Sequence, residues 1–99
     1  MNNEIKRMAE MSKILSNEVR MCILINLAMN EEVKVGDLQH CAKCSQSLIS
    51  QQLSKLKDLK IIESRKTGLE VYYKLIDKSI KNVITKLNLI EIAINSKGE

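Results

Sequence analysis

Apolar residues recur at spacings of three and four along most of the chain, the period of helices that bury one face. Ile5, Met8, Ala9, Met11, Ile14 and Leu15 predict a first helix over about 3–15, with Asn2 and Asn3 as N-cap types before it. Ser16 and Asn17 offer a second cap, with Glu18 in the turn that follows. Val19, Ile23, Leu24, Leu27 and Ala28 then carry a helix to about Met29. The polar stretch Asn30-Glu31-Glu32 breaks the pattern. Val35, Leu38 and Ala42 predict a short helix over about 35–42, and Cys44-Ser45-Gln46-Ser47 is the next break. Ser45 caps a helix of about 46–59, whose inner positions are Ile49, Leu53, Leu56 and Leu59. Its other face reads Gln46, Ser47, Ser50, Gln51, Ser54, Lys55, with no acid before Asp58.

The period then changes to alternation. Residues 61–66 and 70–75 read as two strands rich in β-branched and aromatic side chains, with Thr67-Gly68-Leu69 as the hairpin tip. Asp77 caps a last helix over about 78–95. Its apolar set includes Ile80, Val83, Ile84, Leu87, Leu89, Ile90, Ile92 and Ile94, a stripe too wide for one small core. A second copy of the chain covering part of it accounts for the width. The fold class is therefore mainly α with a small β-hairpin (α+β), in the order helix, helix, short helix, helix, hairpin, helix. A short helix, a tight turn and a helix with a polar outer face make a helix-turn-helix over about 35–59. The hairpin over about 61–75 is its wing.

The 99 residues allow one domain, residues 1–99, and an aliphatic core, since there is no Trp, Phe or Pro and only two Tyr. No apolar run reaches the roughly 18 residues of a membrane span, and the N-terminus has no apolar region of a signal peptide. The cytoplasm is the expected compartment. Three cysteines do not make a disulfide scaffold, and the single histidine, His40, excludes any two-His metal motif. Nothing calls for a cofactor or for catalysis.

A net charge of +4 favours a polyanionic partner, and the placement of charge points to double-stranded DNA. Gln pairs bidentately with adenine, and Ser both donates and accepts toward base edges. Lys55, with Arg65 and Lys66 in the wing, stands where phosphates are met.

The segment from Leu15 to Asp77 resembles the ArsR/SmtB family of winged helix-turn-helix repressors. Leu15-Ser16-Asn17-Glu18-Val19-Arg20-Met21-Cys22-Ile23-Leu24 is similar to the family phrase L-x-x-E-x-R-x-x-I-L, and Val35-Gly36-Asp37-Leu38 to V-x-[DE]-L. The recognition phrase stands as Ser45-Gln46-Ser47-Leu48-Ile49-Ser50-Gln51-Gln52-Leu53-Ser54-Lys55-Leu56, and the wing ends in Val71-Tyr72-Tyr73-Lys74-Leu75. The resemblance implies a homodimeric transcriptional repressor on a palindromic operator. Gln46, Ser47, Ser50 and Gln51 would read bases, with Ser45, Ser54, Lys55, Arg65 and Lys66 completing the DNA surface. The first and last helices would pair subunits through Ile5, Met8, Ile84, Leu87, Ile90 and Ile94.

Two positions depart from the pattern: Gln52 stands where the family often has His, and Lys60 where it has Gly. A left-handed Lys60 would cost about 1 kcal/mol against Gly. The family's Cys-Val-Cys metal phrase falls here on Lys34 and Gly36, and the last helix has no His for the other family site, so neither ligand set is expected. The segment His40-Cys41-Ala42-Lys43-Cys44 leaves three readings open: buried filler, a redox dithiol, or half a metal site. Cys22, among apolar neighbours, reads as structural. The resemblance names no effector. Alternatives to a plain repressor are one switched by the Cys41/Cys44 thiols and a winged helix that binds a protein in place of DNA.

Overall fold

The computed structural model describes residues 2–98, with side chains as far as Asn88 together with Glu91 and Asn95. The order is α1 (Asn3–Leu15), α2 (Glu18–Met29), β1 (Val33–Lys34), α3 (Val35–Ala42), α4 (Gln46–Asp58), β2 (Ile62–Thr67), β3 (Glu70–Leu75) and α5 (Lys78–Gly98). The caps read from the sequence form. Asn2, Asn17, Ser45 and Asp77 each accept, through a side-chain oxygen, the backbone N–H three residues on, at 2.9 to 3.1 Å. Each bond satisfies a donor that the first turn leaves without a partner.

Helix α2 is the centre of the core. Its Ile23, Leu24 and Leu27 meet Leu38 of α3, Ile49, Leu53 and Leu56 of α4, Ile61, Ile62 and Leu75 around the wing, and Ile80 and Ile84 of α5. Helix α1 lies outside this cluster. It buries no residue and only rests Met11, Ile14 and Leu15 against it.

Two expectations are corrected and one element is added. After the polar break at Asn30-Glu31-Glu32, Val33 and Lys34 pair with Tyr73 and Tyr72 and add a third antiparallel strand, in the order β1-β3-β2. Two residues are too few to show an alternating period, and the free edge of β3 captures them. Leu59, placed on the inner face, is 57 % exposed because α4 ends before it. Ile84, placed on a subunit interface, is 1 % exposed and lies in the protomer's own core, so its side chain is not available to a second copy.

Two backbone positions set the angles of the wing. Lys60 takes φ 63, and around it the Ile61 N–H reaches Leu56 C=O and the Lys60 N–H reaches Lys57 C=O, both at 3.0 Å. This is the paired closure that normally employs glycine. At the tip, Thr67 pairs with Glu70 and leaves a two-residue loop in which Gly68 supplies φ 62.

Candidate nucleic-acid interface

Helix α3, the turn at Lys43 and helix α4 build the helix-turn-helix. Lys43 takes φ 51, and its N–H closes on Gln39 and His40 carbonyls, ending α3 and reversing the chain into the Ser45 cap. Along α4 the two faces separate cleanly. Ile49, Gln52, Leu53 and Leu56 are buried, while Ser45, Gln46, Ser47, Ser50, Gln51, Ser54 and Lys55 are exposed on one amphipathic helix. All seven expected α4-side residues therefore lie on the solvent side. Ser45 spends its hydroxyl on the Leu48 N–H at 3.1 Å. The last turn holds Lys55 and Lys57. The outer face thus offers neutral donors and acceptors, with cations at its end.

The wing contributes differently from expectation. Arg65 is not a free cation. Its guanidinium clasps Glu32, with Nε at 3.0 and 2.8 Å from the two carboxylate oxygens and Nη2 at 2.8 Å from Oε2. Nη1 donates to Thr67 Oγ1, and Cζ lies 4.6 Å from the centroid of the cross-strand Tyr72 ring. The hydrogen bond from Arg65 holds the Glu32 carboxyl below its usual range, and the same bond raises Arg65. Sequence reading missed this because Glu32 lies 33 residues away and approaches only once β1 joins the sheet. Of the two cations expected in the wing, Lys66, exposed on the opposite face of β2, is the one with no ion pair among the described residues.

A second unforeseen contact lies behind α4. Gln52 is the buried polar side chain of the core, 5 % exposed, and its Oε1 accepts from Arg20 Nη1 at 3.0 Å. Arg20 also donates from Nε to Ile14 C=O at 2.9 Å and from Nη2 to Lys13 C=O at 3.4 Å. One guanidinium therefore ties the end of α1 to the back of the recognition helix. A polar residue at an inner position of α4 was the available signal.

The three cysteines are neighbours that differ in exposure. Cys41 and His40 are exposed, whereas Cys44 is half-buried against the core. Cys41 Sγ donates to Asn26 Oδ1 at 3.4 Å, and Asn26 Nδ2 touches Cys22 Sγ at 3.8 Å. Burial, then the neighbouring Cys41 and Cys44, push the Cys22 thiol up. Among the described residues no three His, Cys, Asp or Glu side chains stand where they could hold a metal ion.

On the face away from α4, Ile5, Met8 and Leu87 are 50 %, 67 % and 45 % exposed. Met21 and Ile25 line two adjoining grooves between α1, α2 and α5, of about 380 and 200 Å³. The side chains of Ile90 and Ile94, also expected on that face, lie outside the described residues. Among the described residues no helix is long and apolar enough to cross a membrane.

No family model matches the chain. Individual proteins do. It is 39 % identical over 87 residues to the cadmium resistance transcriptional regulatory protein CadC of Listeria innocua, covering 88 % of this chain and 68 % of that one. The structure of HlyU from Vibrio cholerae superposes with a TM-score of 0.81 at 31 % identity, covering 91 % and 97 % of the two chains. The transcriptional repressor BigR from Xylella fastidiosa superposes with a TM-score of 0.80 at 27 % identity, covering 91 % and 96 %. With the helix-turn-helix, the wing and the motif order in place, these likenesses show that the chain belongs to the ArsR/SmtB family of winged-helix transcriptional repressors.

Proposed function

We propose that the protein represses transcription as a homodimer, each copy of the 1–99 unit placing α4 in a major groove of a palindromic operator. The observation that carries this is the exposed, acid-free face of α4 set against its buried apolar face. Gln46, Ser47, Ser50 and Gln51 read base edges, and Lys55 and Lys66 meet phosphates. Arg65 stiffens the wing through Glu32 and Tyr72. Dimerisation is supported by exposed Ile5, Met8 and Leu87 beside the apolar grooves, and half-sites about one helical turn apart, ~34 Å, suit such a pair.

Release from DNA does not use the family's Cys-Val-Cys phrase, because Lys34 and Gly36 occupy its positions. The test is fluorescence anisotropy on duplexes from upstream of the protein's own gene, beside a random duplex, at two salt concentrations. Affinity for one duplex about 10³-fold or more above random supports the reading. Equal affinity for every duplex, or none for any, overturns it. Light scattering at the same concentrations reads the dimer separately.

A further inference from the structure

The sequence paired Cys41 with Cys44, three positions apart in one motif, and set Cys22 aside. The fold rearranges the three. Cys22 comes from the middle of α2 and Cys41 from the last turn of α3, and the side-chain carboxamide of Asn26 lies between their sulfurs. Its Oδ1 accepts from Cys41 Sγ at 3.4 Å, and its Nδ2 donates to Cys22 C=O at 2.8 Å while touching Cys22 Sγ at 3.8 Å. Cys44 is half-buried against the core and also neighbours Cys22, but among the described residues its thiol makes no hydrogen bond to Asn26. A groove of about 380 Å³, lined by Leu15, Met21, Cys22, Ile25 and Asn26, opens beside the contact.

We propose that Cys22 and Cys41 form a thiol site that a hydroperoxide closes into a disulfide, with Asn26 as the spacer that keeps the reduced sulfurs apart. Accessibility sets the order of events. Cys41 is exposed, and the peroxide reaches it first. Its thiolate attacks one peroxide oxygen, the S–O bond forms, the O–O bond breaks, and the leaving oxygen takes a proton as water or alcohol. Cys41 is then a sulfenic acid. The half-buried Cys22 loses its proton as it attacks the Cys41 sulfur. The S–S bond forms, the S–O bond breaks, and hydroxide leaves as water. Two thiols have given up two electrons to one peroxide.

The consequence for DNA follows from what lies next to Cys41. Ala42 ends α3, Lys43 makes the left-handed reversal, and Ser45 caps α4. Drawing the end of α3 onto α2 shifts the turn that aims the recognition helix. The chemistry stands without the DNA-binding reading, and only this consequence rests on it.

The experiment treats the wild-type protein and the Cys22→Ser, Cys41→Ser and Cys44→Ser variants with hydrogen peroxide. Disulfides are read by intact mass and peptide mapping, and operator affinity by anisotropy, before and after dithiothreitol. Wild type and Cys44→Ser are expected to lose the mass of two hydrogens and form a Cys22–Cys41 link. Their operator affinity should fall about ten-fold or more, a coupling of ordinary size, and return on reduction. Cys22→Ser and Cys41→Ser should form no internal disulfide. A Cys41–Cys44 link in the wild type, or no link at all, overturns the site. A Cys22–Cys41 link with unchanged affinity overturns the switch. If the reduced protein binds no DNA, the repressor reading fails while the mass data still decide the disulfide.

Discussion

Replacing Gln52 with Leu tests whether Arg20 fastens the recognition helix to the rest of the protein. The substitution keeps the volume of a buried side chain that is 5 % exposed and removes the oxygen that accepts Arg20 Nη1 at 3.0 Å. A hydrogen bond to a charged group contributes about 1.5–3 kcal/mol, and the added apolar burial of Leu offsets part of its loss. A net cost of about 1–2 kcal/mol is expected, and for a chain of this size each kcal/mol lowers the melting temperature by about 4–8 °C. Arg20→Ala costs more, since it also strips Ile14 and Lys13 of a donor and leaves the Gln52 oxygen unpaired in the core. The decisive quantity is the coupling from the double-mutant cycle, measured by urea unfolding at one fixed protein concentration so that dimer mass action cancels. We expect about 1.5 kcal/mol or more. A coupling under about 0.5 kcal/mol would mean that the two side chains are independent, and the clamp would be refuted.

Other substitutions probe the remaining elements. Glu32→Gln releases Arg65 toward phosphate, so the slope of log affinity against log salt should steepen by about one unit per protomer, and an unchanged slope defeats the ion-pair reading. The Glu32 carboxyl titrates below the ordinary carboxylate range, so this pair is intact at neutral pH and is lost only as pH falls through that depressed value; an NMR titration showing Glu32 at or above the usual range refutes it. Gln46→Ala or Gln51→Ala should cost about 1–3 kcal/mol on the operator and leave random DNA untouched, and equal losses on both would remove them as base readers. Lys60→Gly should raise stability by about 1 kcal/mol in thermal unfolding, because the left-handed closure at φ 63 then carries no Cβ. Ile84→Ala should destabilise by about 2–5 kcal/mol, whereas Leu87→Asp should leave the protomer folded and shift light scattering toward monomer.

What the sequence made legible was everything with a period or a cap. Helices α1 to α4 and the hairpin appear where the spacing of Ile5, Leu24, Leu38, Leu53 and Val71 placed them, because each element needs only its own apolar face and local chemistry at its ends. The recognition surface was legible for the same reason: the outer positions of α4 are the complement of its inner ones. What stayed hidden depends on pairs distant along the chain. Glu32 and Arg65 stand on separate strands that meet only through β1, whose two residues carry no period. Cys22 and Cys41 are 19 positions apart, and nothing in either helix marks Asn26 as the group between them. Ile84 shows why a stripe alone misleads. A helix that faces both its own core and a second subunit is apolar on both sides, and only packing against α2 separates Ile84, buried, from Leu87, exposed one turn later. The same ambiguity reappears at Gln52, where an inner polar residue is read as a family variation until its partner is seen. Arg20 resolves it: the residue that makes Gln52 tolerable in the core is also the one that connects the α1 end of the molecule to the helix that faces DNA.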